Sequence, residues 1–262
     1  MYAFHLLSRS RTDTNSLGHY RLWVNRICHG DISLTNLMYD VSAETNDPVG
    51  VVNDFDLATW VNHSTTNNDR FGTIPFMAMD LLEGGHIRHI PQLYRHDMES
   101  FSWVLAYITV AYIEYKDRTI KISPLGNVEA WFRDDYEGDR RAHILAKKIF
   151  HKEYGRAQGI SGRYRDYHTI IRKITQYWPE FHETRAAAKH RERPRRLYPN
   201  PIREEPAPSE PEIDDPAGSL RSFIMTVKGL LEEGEGDGTK GFAVIKNLLE
   251  AIEIPVTDVS AP

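Results

Sequence analysis

A chain of 262 residues, 40% of them hydrophobic, can bury one sizeable core and still carry extra segments. Its 32 Lys and Arg against 37 Asp and Glu give a formal net charge of -5, which argues against a dominant nucleic-acid role, because phosphate binding needs a concentrated basic face. The single cysteine, Cys28, excludes an internal disulfide and fits a reducing, intracellular compartment, cytoplasmic or nuclear.

In chain order, the opening MYAFHLLSRSR lacks the charged, apolar and cleavage-site order of a signal peptide. Ser16 to Ile27 reads as a helix, with Leu17, Tyr20, Trp23 or Val24, and Ile27 spaced to one face. His29 to Asp40, HGDISLTNLMYD, sets a polar loop ahead of a strand at Leu37 to Tyr39. After a Pro/Gly turn around Asp47 to Gly50, VVNDFDLAT reads as a strand ending in the carboxylate of Asp54. A hairpin from Leu37 to Val52 would bring Asn36 and Asp54 to one end, where their oxygens suit a hard cation such as magnesium. Taken singly, each piece is equally a polar loop or a loop cap.

FGTIPFMAMDLL, 71–82, and RHDMESFSWVLAYI, 95–108, come next. Phe101, Val104, Leu105, Ile108 and Tyr112 have helical spacing and read as a core helix, too short in its apolar run to span a bilayer. Trp131 to Ile149 and Asp166 to Tyr177 are further predicted helices, closing a helical unit by His182. From Glu183 to Ala217 the Pro, Arg and Glu content predicts an extended linker, within which KHRERPRR, 189–196, reads as a solvated charge run or a nuclear-localisation signal. Residues 218–254 predict a helical hairpin around the Gly-rich turn EGEGDGTKG, which lacks the pattern of a phosphate loop and could dock on the helical unit or on another protein.

HGDIS, DFDLA, GTIPFMAMDLL and HDMES, in this order, resemble the fungal-specific protein kinase family of the protein-kinase-like superfamily, from about Tyr20 to about Ile113. The resemblance implies Asp31 as the carboxylate that accepts the proton of an attacking hydroxyl, and Asn36 and Asp54 as magnesium ligands against the phosphates of ATP. It places Phe55 in the core behind the site, His29 as a packed loop histidine, and Asp97 as a buried acceptor for N–H groups of the His29 loop. Thr73, bonded to the catalytic Asp in Ser/Thr-type kinases, tilts the acceptor toward Ser or Thr. Departures from the protein-kinase pattern matter too. Gly30 replaces an Arg that pairs with an activation-loop phosphate, and Ser33, which the resemblance places with Asp31 and Thr73 among the catalytic positions, replaces a Lys near the transferred phosphate. Asp56 replaces a Gly and so restricts the loop, while Asp80 replaces a Glu and needs a nearby Arg for its ion pair.

The fold class implied is mainly α: a protein-kinase-like C-terminal lobe over 1–182 with a small β-hairpin at the cleft, then the linker and the helical hairpin. A full kinase carries about ninety further residues before the His29 loop, with a glycine-rich sheet, a strand Lys and a helical Glu, for which the 28 residues here have no counterpart. The expected activity is phosphoryl transfer from Mg-ATP to protein hydroxyls, weak or absent in this chain alone. The alternatives are a non-catalytic kinase-like interaction module, whose partners would be proteins, and a small-molecule phosphotransferase of the aminoglycoside or choline kinase type. Gly30 favours the last; GTIPFMA and HDMES weigh against it.

Overall fold

The computed structural model describes residues 16–41, 43, 48–61, 72–84, 90–114, 120–122, 140–154, 168–192, 215–220, 222, 223 and 225. Helix α1, Ser16–Val24, ends when Arg26 takes a left-handed φ of 67°, its N–H bonding the Trp23 carbonyl at 2.9 Å. That turn ends the predicted Ser16 to Ile27 helix early and delivers Ile27 into strand β1, Ile27–Cys28.

From there the chain forms two nested antiparallel ladders. The inner one pairs β2, Leu37–Val41, with β3, Pro48–Val52, in the register Leu37↔Val52, which is the hairpin expected from sequence. Strand β3 begins at Pro48, inside the stretch expected to be a turn. The outer ladder pairs β1 with β4, Thr59–Trp60, through Ile27↔Trp60 and Cys28↔Thr59. Residues 29–36 and 53–58 lie between the two ladders on opposite strands, so pairing at both ends holds these loops side by side. Bonds from Asn53 N–H to the Asn36 carbonyl, 2.8 Å, and from Val61 N–H to the Arg26 carbonyl, 2.8 Å, extend the pairing at each ladder.

A 3-10 turn at Ile74–Phe76 leads to α2, Met79–Gly84, and then to the central helix α3, Tyr94–Ala111. Trp103, Val104 and Ala106 are fully enclosed, and the core gathers Phe76, Met79, Leu105, Tyr107, Phe150 and Trp178 around them. A helix apolar on several sides belongs at the centre of a core. It stops at Ala111: Tyr112 opens β5, Tyr112–Glu114, which pairs with β6, Ile120–Ile122, strands in which Tyr112, Ile113, Ile120 and Ile122 favour the extended form.

Helix α4, Arg140–Tyr154, overlaps the predicted Trp131 to Ile149 helix, whose first nine residues, 131–139, lie outside the described ones. Helix α5 runs His168–Glu192, well past the predicted end at Tyr177 and through the start of the predicted linker. The first ten residues of the predicted linker, 183–192, are helical instead. Residues 183–192 contain Ala186, Ala187 and Ala188 and no proline, so their propensity is helical, and the Pro-rich composition begins only at Pro194. Residues 193–214 lie outside the described ones.

Of the predicted terminal hairpin only the beginning is described. Residues 216–220 are helical, capped by Asp215, whose Oδ1 accepts the Gly218 N–H at 2.8 Å. Leu220 is buried with Trp23, Cys28 and Tyr94, and the Phe223 ring stacks on Trp178 at 5.7 Å. No described helix is long and apolar enough to cross a membrane.

Candidate active site

Between the two ladders, His29 fastens one loop to the other. Its Nδ1 accepts the Asp31 N–H at 3.3 Å, so Nε2 carries the ring hydrogen and donates it to the Asn53 carbonyl at 3.0 Å. The ring is fully buried, as the sequence led one to expect of a packed histidine. Gly30 beside it has φ 78°, a left-handed conformation that the Arg usual at this place would strain to adopt.

The Asp31 carboxylate collects three donors. Oδ1 accepts the Thr73 N–H at 2.7 Å and the Thr73 hydroxyl at 2.8 Å; Oδ2 accepts Asn36 Nδ2–H at 3.0 Å. A carboxylate offers about four lone-pair positions, so Oδ1 is saturated and Oδ2 keeps one. That remaining position is where a further donor, such as an incoming hydroxyl, can bind. Gly72 makes the approach of Thr73 feasible: at φ 145°, an added Cβ would meet Met77 Cε at 3.2 Å, the Gly30 carbonyl at 3.4 Å and Asp31 Oδ1 at 3.8 Å.

Asn36 is buried, and a second bond from Nδ2 to the Asp31 carbonyl, 2.9 Å, fixes its amide. The inner ladder puts Asp54 at the same end as Asn36. Asp54 is exposed and left-handed at φ 65°, a conformation that short polar residues tolerate. Among the described residues Asp54 and Arg26 alone combine a positive φ with a side chain; Asp56, in place of the glycine, is unstrained in this conformation. Two expectations need correction. Phe55 is 43% exposed, its ring edge against His29 at 4.9 Å, because nothing among the described residues covers its outer side. Ser33 is buried, and its hydroxyl contacts Thr35 Oγ1 at 3.0 Å, so it does not reach into the open site.

Helix α3 supports this loop pair through Asp97. Its Oδ2 accepts His19 Nε2–H at 2.9 Å, Trp23 Nε1–H at 3.2 Å and, at the 3.5 Å limit, the Gly30 N–H; Oδ1 accepts Gln92 Nε2–H at 3.0 Å. Asp97 thus holds the His29 loop mainly through α1. Burial alone would raise its carboxyl, but the His19 bond and charge and the Trp23 bond hold it below the usual value.

Two positions along α3, Glu99 holds the segment after Thr73, a residue the sequence reading did not single out although HDMES contains it. Its Oε1 accepts the Met79 N–H at 2.9 Å and Trp103 Nε1–H at 3.1 Å; its Oε2 accepts His182 Nε2–H at 2.8 Å. Beside it lies Asp80, whose expected Arg is Arg95, Nη2 to Oδ2 at 2.6 Å, with Arg185 at 3.6 Å and His96 at 3.1 Å. Burial opposes the charge on Asp80, yet His96, Arg95 and His182 hold its carboxyl well below the usual range. Burial would likewise lower the His182 imidazole, but Glu99 raises it above its ordinary value. Lys147, which donates to the Met77 carbonyl and lies 5.1 Å from the Trp103 ring, is pushed by burial down to about 7, Glu99 offsetting part of the effect. Asp80, Glu99 and His182 have ligand atoms within 4.8 Å of one another. Arg95 already neutralises Asp80 and both Glu99 oxygens are bonded, so this is an ion-pair network and not a metal centre.

Residues 17–109, which carry Asp31, Asn36, Asp54, Thr73 and both α3 carboxylates, match the family model described as fungal protein kinase. No curated protein matches the chain.

Proposed function

We propose, from the premise that residues 17–109 match the fungal protein kinase family, that this chain carries the acceptor side of a protein-kinase-type phosphoryl-transfer site in a C-lobe-like helical unit. One observation carries the reading: Asp31 is held by Thr73 and Asn36 with one lone pair of Oδ2 open, and Asp54 follows the inner ladder at the end where Asn36 precedes it. A serine or threonine hydroxyl donating to that lone pair is aimed for attack. As its oxygen bonds to the terminal phosphorus of ATP and the bond to the leaving diphosphate breaks, Asp31 Oδ2 takes the hydroxyl hydrogen.

Asn36 Oδ1 and the Asp54 carboxylate fit magnesium in kind: both are hard oxygen ligands, at one end of the inner ladder, and magnesium needs few protein ligands when phosphates and water supply the rest. Bound there, the ion would neutralise phosphate charge. Ser33 is uncharged and turned inward where the usual Lys would reach the phosphate, which supports a slower transfer. Met38 and Val51, cross-strand partners on the inner ladder, are 50% and 39% exposed and offer an apolar floor for the base of ATP. Cys28, buried and the single cysteine of the chain, supports an intracellular setting.

A second reading draws on the same exposed side chains. Val24, Met38, Val51, Phe55 and Trp60 are each more than a third exposed, an apolar content that also suits a non-catalytic module binding a protein. The small-molecule reading is weaker, because Thr73 ties residues 72–79 to Asp31 as a platform for a larger substrate.

Calorimetry of ATP binding to the whole chain, with and without magnesium and beside Asp54→Ala, tests the proposal. Magnesium-dependent binding abolished in the variant is expected. A folded chain that binds no ATP at millimolar concentration, or binds it equally in the variant, would overturn the catalytic reading and favour the binding module.

A further inference from the structure

The bond pattern between Ser33 and Asp31 has a single direction. Asp31 only accepts, so the Asn36 amide must turn Nδ2 toward it and Oδ1 away. Thr35 Oγ1 donates to that Oδ1 at 3.3 Å. A threonine hydroxyl has one hydrogen, so the 3.0 Å contact between Ser33 and Thr35 must be filled by the hydrogen of Ser33. The chain therefore runs Ser33 to Thr35 to Asn36 to Asp31, closed at its far end by Thr73. The backbone bond from Asn36 N–H to the Ser33 carbonyl, 3.2 Å, folds the four residues into one turn.

We infer that Thr35 is a positioning residue: its hydroxyl, aligned by buried Ser33, sets the rotation of the Asn36 amide and so aims Oδ1, with one lone pair left free, at the cation held with Asp54. The inference rests on the reading of Asn36 and Asp54 as a metal pair. Among the described residues Oδ1 has no other hydrogen-bond partner, so there only the Nδ2 bonds restrain the amide once Thr35 is removed. Ser33, at the place of the charged Lys usual in protein kinases, then acts inward on a ligand's orientation instead of outward on the phosphate. The pairing also explains why a hydroxyl residue follows two positions after another in DISLTN, where a single polar residue would satisfy the loop.

Two readouts test it on the whole chain. The first, in metal-free protein, is hydrogen exchange of the Asn36 side-chain NH2 followed by NMR; the second is magnesium-dependent ATP binding by calorimetry. Losing one neutral hydrogen bond corresponds to a factor of about 3 to 10. Thr35→Val is expected to speed the Asn36 exchange and weaken the magnesium-dependent binding by about that factor, Thr35→Ser to restore both, and Ser33→Ala to give a smaller effect of the same sign. Unchanged exchange and binding in Thr35→Val, while Asp54→Ala abolishes binding, would overturn the inference and leave the kinase reading standing. Faster exchange in Thr35→Val with no magnesium-dependent binding in the unmodified chain would support the positioning of the amide and overturn the metal reading instead.

Discussion

Asp97 and Glu99 stand two residues apart on α3 and face different loops. Each accepts from a histidine, an indole and a backbone amide: His19, Trp23 and Gly30 at Asp97, with Gln92 beside them, and His182, Trp103 and Met79 at Glu99. They differ in the charges around them, since Arg95, Arg185 and Lys147 lie around Glu99 and its neighbour Asp80. Directed donors fix geometry at both carboxylates, and around Glu99 charge is added, a buried charge being costly when its counter-ion is removed. A single helix thereby holds the Asp31 loop by geometry and the segment after Thr73 by geometry and electrostatics together.

That contrast can be broken most strongly at Glu99. Glu99→Ala leaves His182 and Lys147 without their anion and is expected to cost about 3 to 5 kcal/mol in denaturant unfolding; a loss near zero would show that the cations rearrange at no cost. Next comes Leu220→Ala, expected to cost about 2 to 4 kcal/mol, because the residue closes the cluster of Trp23, Cys28 and Tyr94 beneath the His29 loop. Asp97→Asn keeps an acceptor and should cost only about 1 to 3 kcal/mol. It should speed amide exchange at Gly30 and leave Met79 protected, whereas Glu99→Gln should do the reverse; equal effects at both amides would erase the distinction.

The smallest effect is the pH dependence of the charged side. His182 is raised, so its contribution is present below its ordinary value near 6.5 and is lost as pH climbs through its folded value. Lys147 is lowered to about 7, so between there and its ordinary 10.5 the unfolded chain binds more protons and stability grows with pH. Melting temperature followed upward from pH 6 should therefore lose the His182 contribution first and gain the Lys147 one above about pH 7. His182→Asn should remove the early fall alone, and Lys147→Met the later rise alone.

Local pattern made part of this legible in the sequence. The Leu37↔Val52 hairpin follows from two short apolar runs and a turn between them, and once it is drawn Asn36 and Asp54 must share an end. Asp97 stood out through the resemblance of HDMES to the start of the central helix in protein kinases. Glu99 did not, since its partner His182 lies 83 residues away and nothing local links the two. Arg95 sat in RHDMES in plain view, but which carboxylate a long side chain meets depends on how α3 packs against α2. The length of α5 was hidden by reading 183–217 as one composition, when the run Ala186 to Ala188 precedes the first proline of that stretch, Pro194. Ser33 was placed among the catalytic positions because protein kinases carry a long cation there; a hydroxyl is short enough to bond Thr35 within the turn.

The most direct test of the two-sided account is where a divalent cation binds. Manganese, titrated into the isotope-labelled chain without nucleotide, broadens NMR signals of nearby nuclei. The account expects broadening centred on residues 35–36 and 53–56, lost in Asp54→Ala, with Met79, Trp103 and His182 unaffected. Broadening centred on His182 and Met79 would contradict it, by showing that the Asp80 and Glu99 cluster holds the metal and the Asn36 and Asp54 pair does not.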